Sequence, residues 1–428
     1  MPAGLRVIGI QDLVMEARQQ QVPPKVAESV SAIVKGVKEG GDKALLDYTE
    51  KFDKIRLTPQ TIRVGGEKLK SAYKSLPEGL MKAMVASAGR IRRFQEMQIP
   101  RSFSLETAPG VMVGVDFLPI QSVGIYIPGG TAAYPSSVLM TVIPAKVAGV
   151  ERTVVFTPPG PTGEPPTTVM AAAHLAGVDE LYSAGGAQAV AAMAYGTETI
   201  KKVEKIVGPG NIYVTAAKML VSSDVAVDMI AGPSEVLIYA EAGRMGRDSW
   251  IAADILAQAE HDARARAILV TPSRELASSV SSLVEAGIAS APRKEILEKS
   301  ISNAFAVVVK DRDEGIAAIN EVAPEHLQIM SDNPEEIMKG VKNAGAIFLG
   351  DYSPAALGDY SAGTNHVLPT MGWAKRASPL SVRDFLRARE YVRCSAEGLR
   401  RIGPDAVAMA NIEGLLNHAR SIQARDVK

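Results

Sequence analysis

The spacing of apolar residues changes character near residue 120. Before it, 22–41 and 76–97 carry apolar residues three and four positions apart among charges, which predicts amphipathic helices. After it, short β-rich runs alternate with alanine-rich stretches of helical pattern. The β-rich runs are 123–128, 153–158, 180–184, 202–207 and 226–230, and the helical stretches lie near 135–148, 166–176, 187–195 and 213–221. Strands alternating with helices predict a mainly parallel sheet covered on both faces.

A second series with the same rhythm follows. Its predicted elements are strands 235–240, 266–271, 304–310 and 344–350, a helix over 249–261 and a helix from 274 onward. From 378 to the end the pattern is charged and helical, without a strand signal. The expected fold class is α/β, with two doubly wound, incomplete Rossmann-like domains and helical N- and C-terminal extensions. The expected bounds are 1–21 for the N-terminal helical extension, 22–126 plus 234–378 for the first α/β domain, 127–233 for the second, and 379–428 for the C-terminal helical arm.

The composition is that of an ordinary globular protein and excludes several classes of partner. The chain has 428 residues, 46% of them hydrophobic, and its 47 Lys and Arg residues balance 47 Asp and Glu residues. We therefore expect no nucleic-acid surface and no membrane anchor, and the longest apolar stretch, 137–150, is interrupted by Thr141, Pro144 and Lys146. The N-terminus lacks the pattern of a secretory signal, and the single Cys394 excludes an internal disulfide. These features predict a soluble, cytoplasmic protein.

Histidine is scarce, so each of the five histidines can be considered separately. The predicted helix 249–261 ends with Gln258 and His261, three positions apart on one face of the last turn. An amide oxygen and an imidazole nitrogen placed in this way can hold a divalent metal. The alternative is a surface helix end with a capping histidine. His174, on an alanine-rich apolar stretch, is interpreted as structural.

A second candidate lies in 323–328, where Glu325 and His326 directly follow Pro324. Either side chain could be a general acid or base, because histidine titrates near neutrality and burial can raise the pKa of a glutamate. Neighbours in an extended segment point to opposite sides, so the two need not touch each other. The alternative is a polar pair on a loop.

Two further segments hold candidate residues. Loop 350–366, rich in Gly, Ser and Asp, follows a predicted strand, and open α/β sheets bind ligands beyond the carboxyl ends of their strands. Asp359 and His366 are therefore candidate ligands or substrate contacts, the alternative being an ordinary connection. On the terminal arm, Glu413 and His418 are five positions apart, about 140° around an ideal helix, so spacing predicts no shared site and leaves a solvated helix face as the alternative.

Two glycine-rich loops, 127–131 and 208–211, each follow a predicted strand and precede a predicted helix. Backbone amides in such a position can contact phosphates, as in dinucleotide sites. Neither loop has the GxGxxG pattern, since 208–213 lacks the last glycine, and the motif alone leaves the ligand open.

Taken together, these segments resemble the histidinol dehydrogenase family. The matching pieces are VGIYIPGG (123–130), GGAQ (185–188), VGPGN (207–211), DMIAGPSE (228–235), QAEH (258–261), APEHL (323–327), GDYSAGTNH (358–366) and Glu413 with His418. They occur in the family's order, and the stretch 228–261 is nearly diagnostic. The first hundred residues match less distinctively.

The resemblance implies a zinc-dependent enzyme that oxidises L-histidinol through L-histidinaldehyde to L-histidine in two NAD-dependent steps, the last of histidine biosynthesis. The catalytic pair would be Glu325 and His326, and each subunit would bind one zinc ion. The implied zinc ligands are Gln258, His261, Asp359 and His418. The implied substrate contacts are Ser234, Gln258, His261, His326, Asp359, His366, Glu413 and His418, and the implied NAD contacts are Tyr126, Gln188 and Asn211.

The resemblance also assigns catalysis and zinc to the first α/β domain and NAD to the second. In the family the terminal arm crosses to the partner subunit of a homodimer. Glu413 and His418 are therefore expected to complete the site of the other chain, which would explain why their spacing suggests no local site.

Physical reasoning assigns the two reaction steps to different residues. His326 is the expected base for the alcohol, and Glu325 is expected to activate the water that adds to the aldehyde. Cys394 lies outside every motif and is rejected as a nucleophile. The alternatives are a related zinc- and NAD-dependent enzyme acting on another small alcohol, such as a sulfonated diol, and a zinc-binding scaffold without activity. Glu413 disfavours an anionic substrate, and the intact pair Glu325 and His326 disfavours an inactive scaffold.

Overall fold

The computed structural model describes residues 4–17, 22–129, 132–229, 232–243 and 245–425. Parts of two segments singled out above, 130–131 in the first glycine-rich loop and 230–231 in 228–235, lie outside the described residues, as do 1–3 and 18–21 of the N-terminal extension. Within the described ranges, no helix has the length and apolar character needed to cross a membrane.

The strands and helices alternate along most of the chain. The strands are β1 Arg6–Ile8, β2 Arg63–Val64, β3 Phe103–Ala108, β4 Val111–Pro119, β5 Ser122–Tyr126, β6 Arg152–Thr157, β7 Glu180–Ser183, β8 Lys205–Val207, β9 Ala226–Val227, β10 Glu235–Ala240, β11 Arg266–Thr271, β12 Phe305–Val308, β13 His326–Met330, β14 Ala346–Leu349 and β15 Leu386–Cys394. The α-helices are α1 Ile10–Ala17, α2 Pro24–Asp53, α3 Gly66–Lys74, α4 Glu78–Glu96, α5 Pro135–Ala148, α6 Thr167–Ala176, α7 Gly186–Tyr195, α8 Ile212–Val221, α9 Arg247–Ala259, α10 Arg274–Ser290, α11 Lys294–Ser300, α12 Arg312–Val322, α13 Pro334–Gly340, α14 Ala355–Tyr360, α15 Ala396–Ile412 and α16 Leu416–Gln423.

The first α/β series forms a six-stranded sheet, here called sheet I, with the order β2-β7-β6-β5-β8-β9. Only β2 runs antiparallel to its neighbour. Helices α3 to α6 cover one face, and α2, α7 and α8 cover the other. The predicted strands and helices of this series are confirmed to within a few residues, because strands buried on both faces are read as continuous apolar runs.

The second series forms another six-stranded sheet, sheet II, with the order β1-β12-β11-β10-β13-β14 and all neighbours parallel. Helices α9 to α11 cover one face, and α1, α12 and α13 cover the other. Strand β13 was not among the predicted strands, since the polar residues His326 and Gln328 interrupt its apolar pattern although all five residues are buried.

Three expectations about the extensions and bounds need correction. The N-terminal extension is not purely helical, because β1 pairs with β12 at the edge of sheet II, and its three residues are too few to give a pattern. The arm 379–428 is not purely helical either. Its strand β15 pairs antiparallel with β4 in a three-stranded sheet, sheet III, of order β15-β4-β3. Nearly all of β15 is exposed, so its charged residues mask the strand pattern.

The third correction concerns the stretch 22–126, which was grouped with the second series. Its helices α2 to α4 and its strands β2 and β5 belong with sheet I, because their apolar side chains join the two cores of that sheet. The chain passes from sheet I to sheet II between β9 and β10, close to the expected boundary at 233. The division into domains is otherwise still a proposal.

Candidate active site

A cleft of about 600 Å³ lies between sheets I and II. Sheet I contributes its carboxyl edge, since Tyr126 ends β5 and Gly208 follows β8. Sheet II contributes its amino edge, since Ser234 precedes β10 and His326 begins β13. The two sheets therefore present opposite ends of their strands to the same space.

Loop 350–366 reaches this cleft by an indirect route. Gly350 follows β14 at the carboxyl edge of sheet II, away from the cleft. Helix α14 brings the chain back to the amino edge, where Oδ1 of Asp359 lies 3.6 Å from Nε2 of His326. The candidate residues of sheet I thus lie beyond the carboxyl ends of its strands, whereas those of sheet II lie at its amino edge.

The cleft brings most of the predicted site residues together. Nine of them line it: Tyr126, Asn211, Ser234, Gln258, His261, Glu325, His326, Asp359 and His366. Three do not. Gln188 is buried in the first turn of α7, whereas Glu413 and His418 are exposed on the terminal arm.

Glu325 and His326 are buried and are both held by Glu235 at the start of the neighbouring strand β10. The backbone N–H of Glu235 donates to Oε2 of Glu325 at 2.7 Å, and its carbonyl oxygen lies 3.2 Å from Nδ1 of His326. A carbonyl can only accept, so Nδ1 carries a hydrogen and Nε2 remains as the basic nitrogen of a neutral ring. Nδ1 also lies 3.7 Å from Oε2 of Glu325, so the two side chains do approach each other. Glu325 lies just before β13, so the alternation of side chains along a strand does not force it to point away from His326.

Neighbouring carboxylates control the charge of these groups. Burial lowers the pKa of His326, but the combined effect of Glu325 and Asp359 is larger and raises the pKa to about 10. Burial raises the pKa of Glu235 to about 7, with the charge of Glu325 adding to the rise and Arg266 opposing it. A cation held by Asp359 would occupy one of the two carboxylates beside His326, and this would shift the pKa of His326 back toward neutrality.

His366 connects the two walls of the cleft. Its Nδ1 lies 3.0 Å from the carbonyl oxygen of Asp359, and its Nε2 lies 3.0 Å from Oγ of Ser137 at the start of α5. Burial lowers the pKa of His366, which favours a neutral ring that donates through Nδ1 and accepts through Nε2. Sequence reasoning missed Ser137, because a serine in the first turn of a helix is too common to be a signal.

The metal donors implied within one chain, Gln258, His261 and Asp359, all line the cleft. Nε2 of Gln258 is buried without a hydrogen-bond partner among the described residues, so this end of the amide lacks the contact that usually holds a buried glutamine. An amide oxygen, an imidazole nitrogen and a carboxylate oxygen suit zinc. Among the described residues, no group of three or more His, Cys, Asp and Glu side chains lies close enough together to hold a metal ion.

The opposite wall is built on glycine and on helix α8. A Cβ on Gly208, whose φ is +111°, would lie 2.2 Å from the carbonyl oxygen of Tyr126, so this position admits only glycine. Oδ1 of Asn211 caps α8 by accepting from the backbone N–H groups of the second and third helix residues, at 3.0 and 3.2 Å. The hydroxyl of Tyr126 accepts from the backbone N–H of Gly186 at 3.1 Å and so ties the wall to α7.

Sequence reasoning also gave no role to Glu235, although it lies in the quoted segment 228–235. A glutamate at the head of the apolar run 236–240 was the available signal, because a carboxylate at the start of a buried strand needs a specific partner.

The two-sheet fold, the glycine-rich wall and a buried acid–base pair beside metal-type donors define a dinucleotide-dependent oxidoreductase. The family model described as histidinol dehydrogenase matches residues 16–426. A histidinol dehydrogenase of Methanothermobacter thermautotrophicus is 48% identical over 97% of this chain and 96% of its own length, and one of Clostridium acetobutylicum is 46% identical over 96% and 95%. The crystal structure of histidinol dehydrogenase from Elizabethkingia anophelis matches with a TM-score of 0.93 at 36% identity, over 98% of each chain.

The chain therefore belongs to the histidinol dehydrogenase family, whose members are NAD- and zinc-dependent oxidoreductases of histidine biosynthesis.

Proposed function

We propose that this protein oxidises L-histidinol through L-histidinaldehyde to L-histidine with two molecules of NAD, and that it does so in the cytoplasm as a homodimer. The observation that carries the proposal is the convergence of nine candidate residues, from both sheets, on one cleft. Metal-type donors and the buried acid–base pair lie on the side of sheet II, and the glycine-rich loop lies on the side of sheet I.

Gln258, His261 and Asp359 would hold the zinc ion, with His418 of the partner subunit as the fourth ligand. When bound, zinc supplies a fixed positive charge that orients the nitrogen atoms of the substrate. Ser234 and His366 line the same cleft and would contact the substrate directly. A carboxylate from Glu413 of the partner subunit would suit the imidazole N–H of histidinol.

In the first oxidation, the alcohol loses the hydroxyl proton and its carbon loses a hydride. Nε2 of His326 would accept the proton, because the contact of Nδ1 with the carbonyl oxygen of Glu235 leaves Nε2 as the basic nitrogen. The hydride passes to the nicotinamide, and the product is the aldehyde. Burial of His326 keeps bulk water away from the transferred proton.

In the second oxidation, water adds to the aldehyde, and the resulting hydrate loses a hydride to a second NAD. Glu325 would remove a proton from the water, since its Oε2 is fixed by the backbone N–H of Glu235 beside His326. We expect Glu325→Gln to slow oxidation of histidinaldehyde by roughly 10²-fold or more, the usual scale for loss of a general base, and to slow oxidation of histidinol less. Single-turnover NADH formation from each substrate measures the two half-reactions, and equal losses in both would contradict this division.

The proposal as a whole is tested by mixing the purified protein with NAD and L-histidinol and following NADH absorbance and L-histidine formation. We expect two NADH for each histidine, and loss of activity on zinc removal with recovery when zinc is restored. NADH formation with a sulfonated diol but not with histidinol would overturn the assignment of the substrate.

The homodimer is supported by the surface of the terminal arm. Helices α15 and α16 expose Met409, Ile412 and Leu416 at 60%, 84% and 55%, and exposed apolar clusters of this kind usually mark an interface. His418 and Glu413 are exposed on the same arm and are not among the described residues that line the cleft of their own chain. A second copy of the chain that covers this surface would bring both residues to its cleft.

A further inference from the structure

A buried ion pair, which has no part in the chemistry above, contacts the backbone of Gly208 at the start of the glycine-rich loop 208–211. Nζ of Lys218, on α8, lies 2.6 Å from Oδ1 of Asp228, which follows β9. The side chains are only 3% and 1% exposed, so neither can reach solvent or a ligand in the cleft. Two desolvated charges are costly to bury, and a pair of this kind needs a structural or functional reason.

The pair satisfies both polar groups of Gly208. The backbone N–H of Gly208 donates to Oδ2 of Asp228 at 2.7 Å, and Nζ of Lys218 donates to the carbonyl oxygen of Gly208 at 2.6 Å. Gly208 has φ +111° and lies so close to the carbonyl oxygen of Tyr126 that a Cβ would clash with it. The ion pair therefore fixes an unusual backbone conformation at the entrance of the loop, while Gly208, Pro209, Gly210 and Asn211 face the cleft.

Asp228 also contacts the start of the connection that leads from sheet I to sheet II. Its Oδ1 accepts from the backbone N–H of Met229 at 2.7 Å, and Met229 and Ser234 on this connection both line the cleft. The carboxylate of Asp228 thus accepts hydrogen bonds both from the glycine-rich loop of sheet I and from the start of the segment that leads to sheet II.

We propose that Lys218 and Asp228 are positioning residues for the dinucleotide, because their pairing presets the 208–211 loop in the shape that receives NAD. The inference rests on the proposed function for the identity of the dinucleotide. A preset loop binds its ligand without the entropic cost of ordering the backbone at the moment of binding. Loss of the pair should therefore weaken NAD binding while it leaves the substrate and metal wall unchanged.

The test is Lys218→Met, which keeps an unbranched side chain of nearly the same length and removes its charge and donors. We expect the KM for NAD, and the Kd for NADH measured by fluorescence without substrate, to rise by roughly tenfold or more. The KM for histidinol and the kcat at saturating NAD should stay within about twofold of wild type. A folded Lys218→Met protein with wild-type NADH affinity overturns the proposal.

A control variant separates positioning from general loosening of the sheet. Arg152→Met breaks the ion pair between Arg152 and Glu180, with Nε 2.6 Å from Oε1, at the amino edge of the same sheet and far from the cleft. We expect it to lower stability and leave NADH affinity unchanged. An equal loss of NADH affinity in both variants, or an equal rise in both substrate KM values for Lys218→Met, also overturns the proposal.

If Lys218→Met does not fold, Lys218→Gln provides the test, because its shorter side chain removes the charge and retains an amide N–H donor. A smaller rise in the Kd for NADH is expected, and a folded Lys218→Gln with wild-type affinity counts against the proposal. Wild-type protein that binds NADH but does not oxidise histidinol would contradict the proposed function and leave the positioning role standing.

Discussion

Replacing His326 with asparagine should lower the turnover of histidinol by roughly 10²- to 10⁴-fold, the scale expected when a general base is lost. Asparagine can still donate to the carbonyl oxygen of Glu235, but it has no basic nitrogen in place of Nε2. Among the histidines of the cleft, His326 is the one assigned to proton transfer. Zinc content and histidinol affinity should therefore change little. The measurements are steady-state kcat, metal analysis and equilibrium binding of histidinol.

His174→Asn is the matched control for this prediction. His174 lies on α6 beside Tyr73, with ring centroids 5.3 Å apart, and does not line the cleft. The same substitution there should leave kcat unchanged. If His326→Asn keeps the wild-type rate, His326 is not the general base. If the variant loses zinc, His326 has a metal-binding or structural role instead.

Two inactive variants should restore each other if the terminal arm completes the site of the neighbouring subunit. His261→Ala and His418→Ala each remove one proposed zinc ligand, so homodimers of either variant should be nearly inactive. In a mixed dimer, one site combines an intact His261 with an intact His418, and the other lacks both. Random mixing of equal amounts forms about half mixed dimers, so we expect roughly a quarter of the wild-type activity. Activity and zinc content are measured after subunit exchange.

The control pair is His261→Ala with Asp359→Ala. Both residues line the cleft of one chain, so every mixed dimer still lacks one ligand at each site and should stay inactive. Complementation by the control pair, or its failure for His261→Ala with His418→Ala when exchange is demonstrated by labelled subunits, would refute the shared site.

The sequence predicted the buried strands whose central residues are apolar. Strands β5, β6 and β10 could be predicted because both faces of each sheet are covered and the central residues of each strand form an apolar run. Strand β13 was hidden because it carries His326 and Gln328 into a buried position, and β15 was hidden because its exposed, charged residues resemble those of a helical arm. Polar residues in a buried strand, such as His326 of the candidate site, thus remove the apolar pattern by which the strand could be predicted.

The site residues could be listed from motifs and resemblance, but their relation in space could not. No sequence signal says that α14 returns Asp359 to the amino edge of sheet II, or that Glu235 holds the two catalytic candidates through its backbone. Backbone hydrogen bonds carry no side-chain signature, and the packing of separate segments fixes both features. The same holds for Lys218 and Asp228, which occur in ordinary-looking positions and meet only in the fold.

Because the two sheets face the cleft with opposite edges, helix ends of opposite partial charge lie on its two sides. Sheet I turns the beginnings of its helices toward the cleft, with α8 starting after Asn211 and α5 after Tyr134, and peptide dipoles give such ends partial positive charge. Sheet II turns a helix ending toward it, since α9 stops at Ala259 between Gln258 and His261, where the partial charge is negative. Phosphates therefore find a favourable field on one side and a metal cation on the other, before any ionised side chain contributes. Two sheets facing the cleft with the same edge would have placed both ligands in fields of one sign.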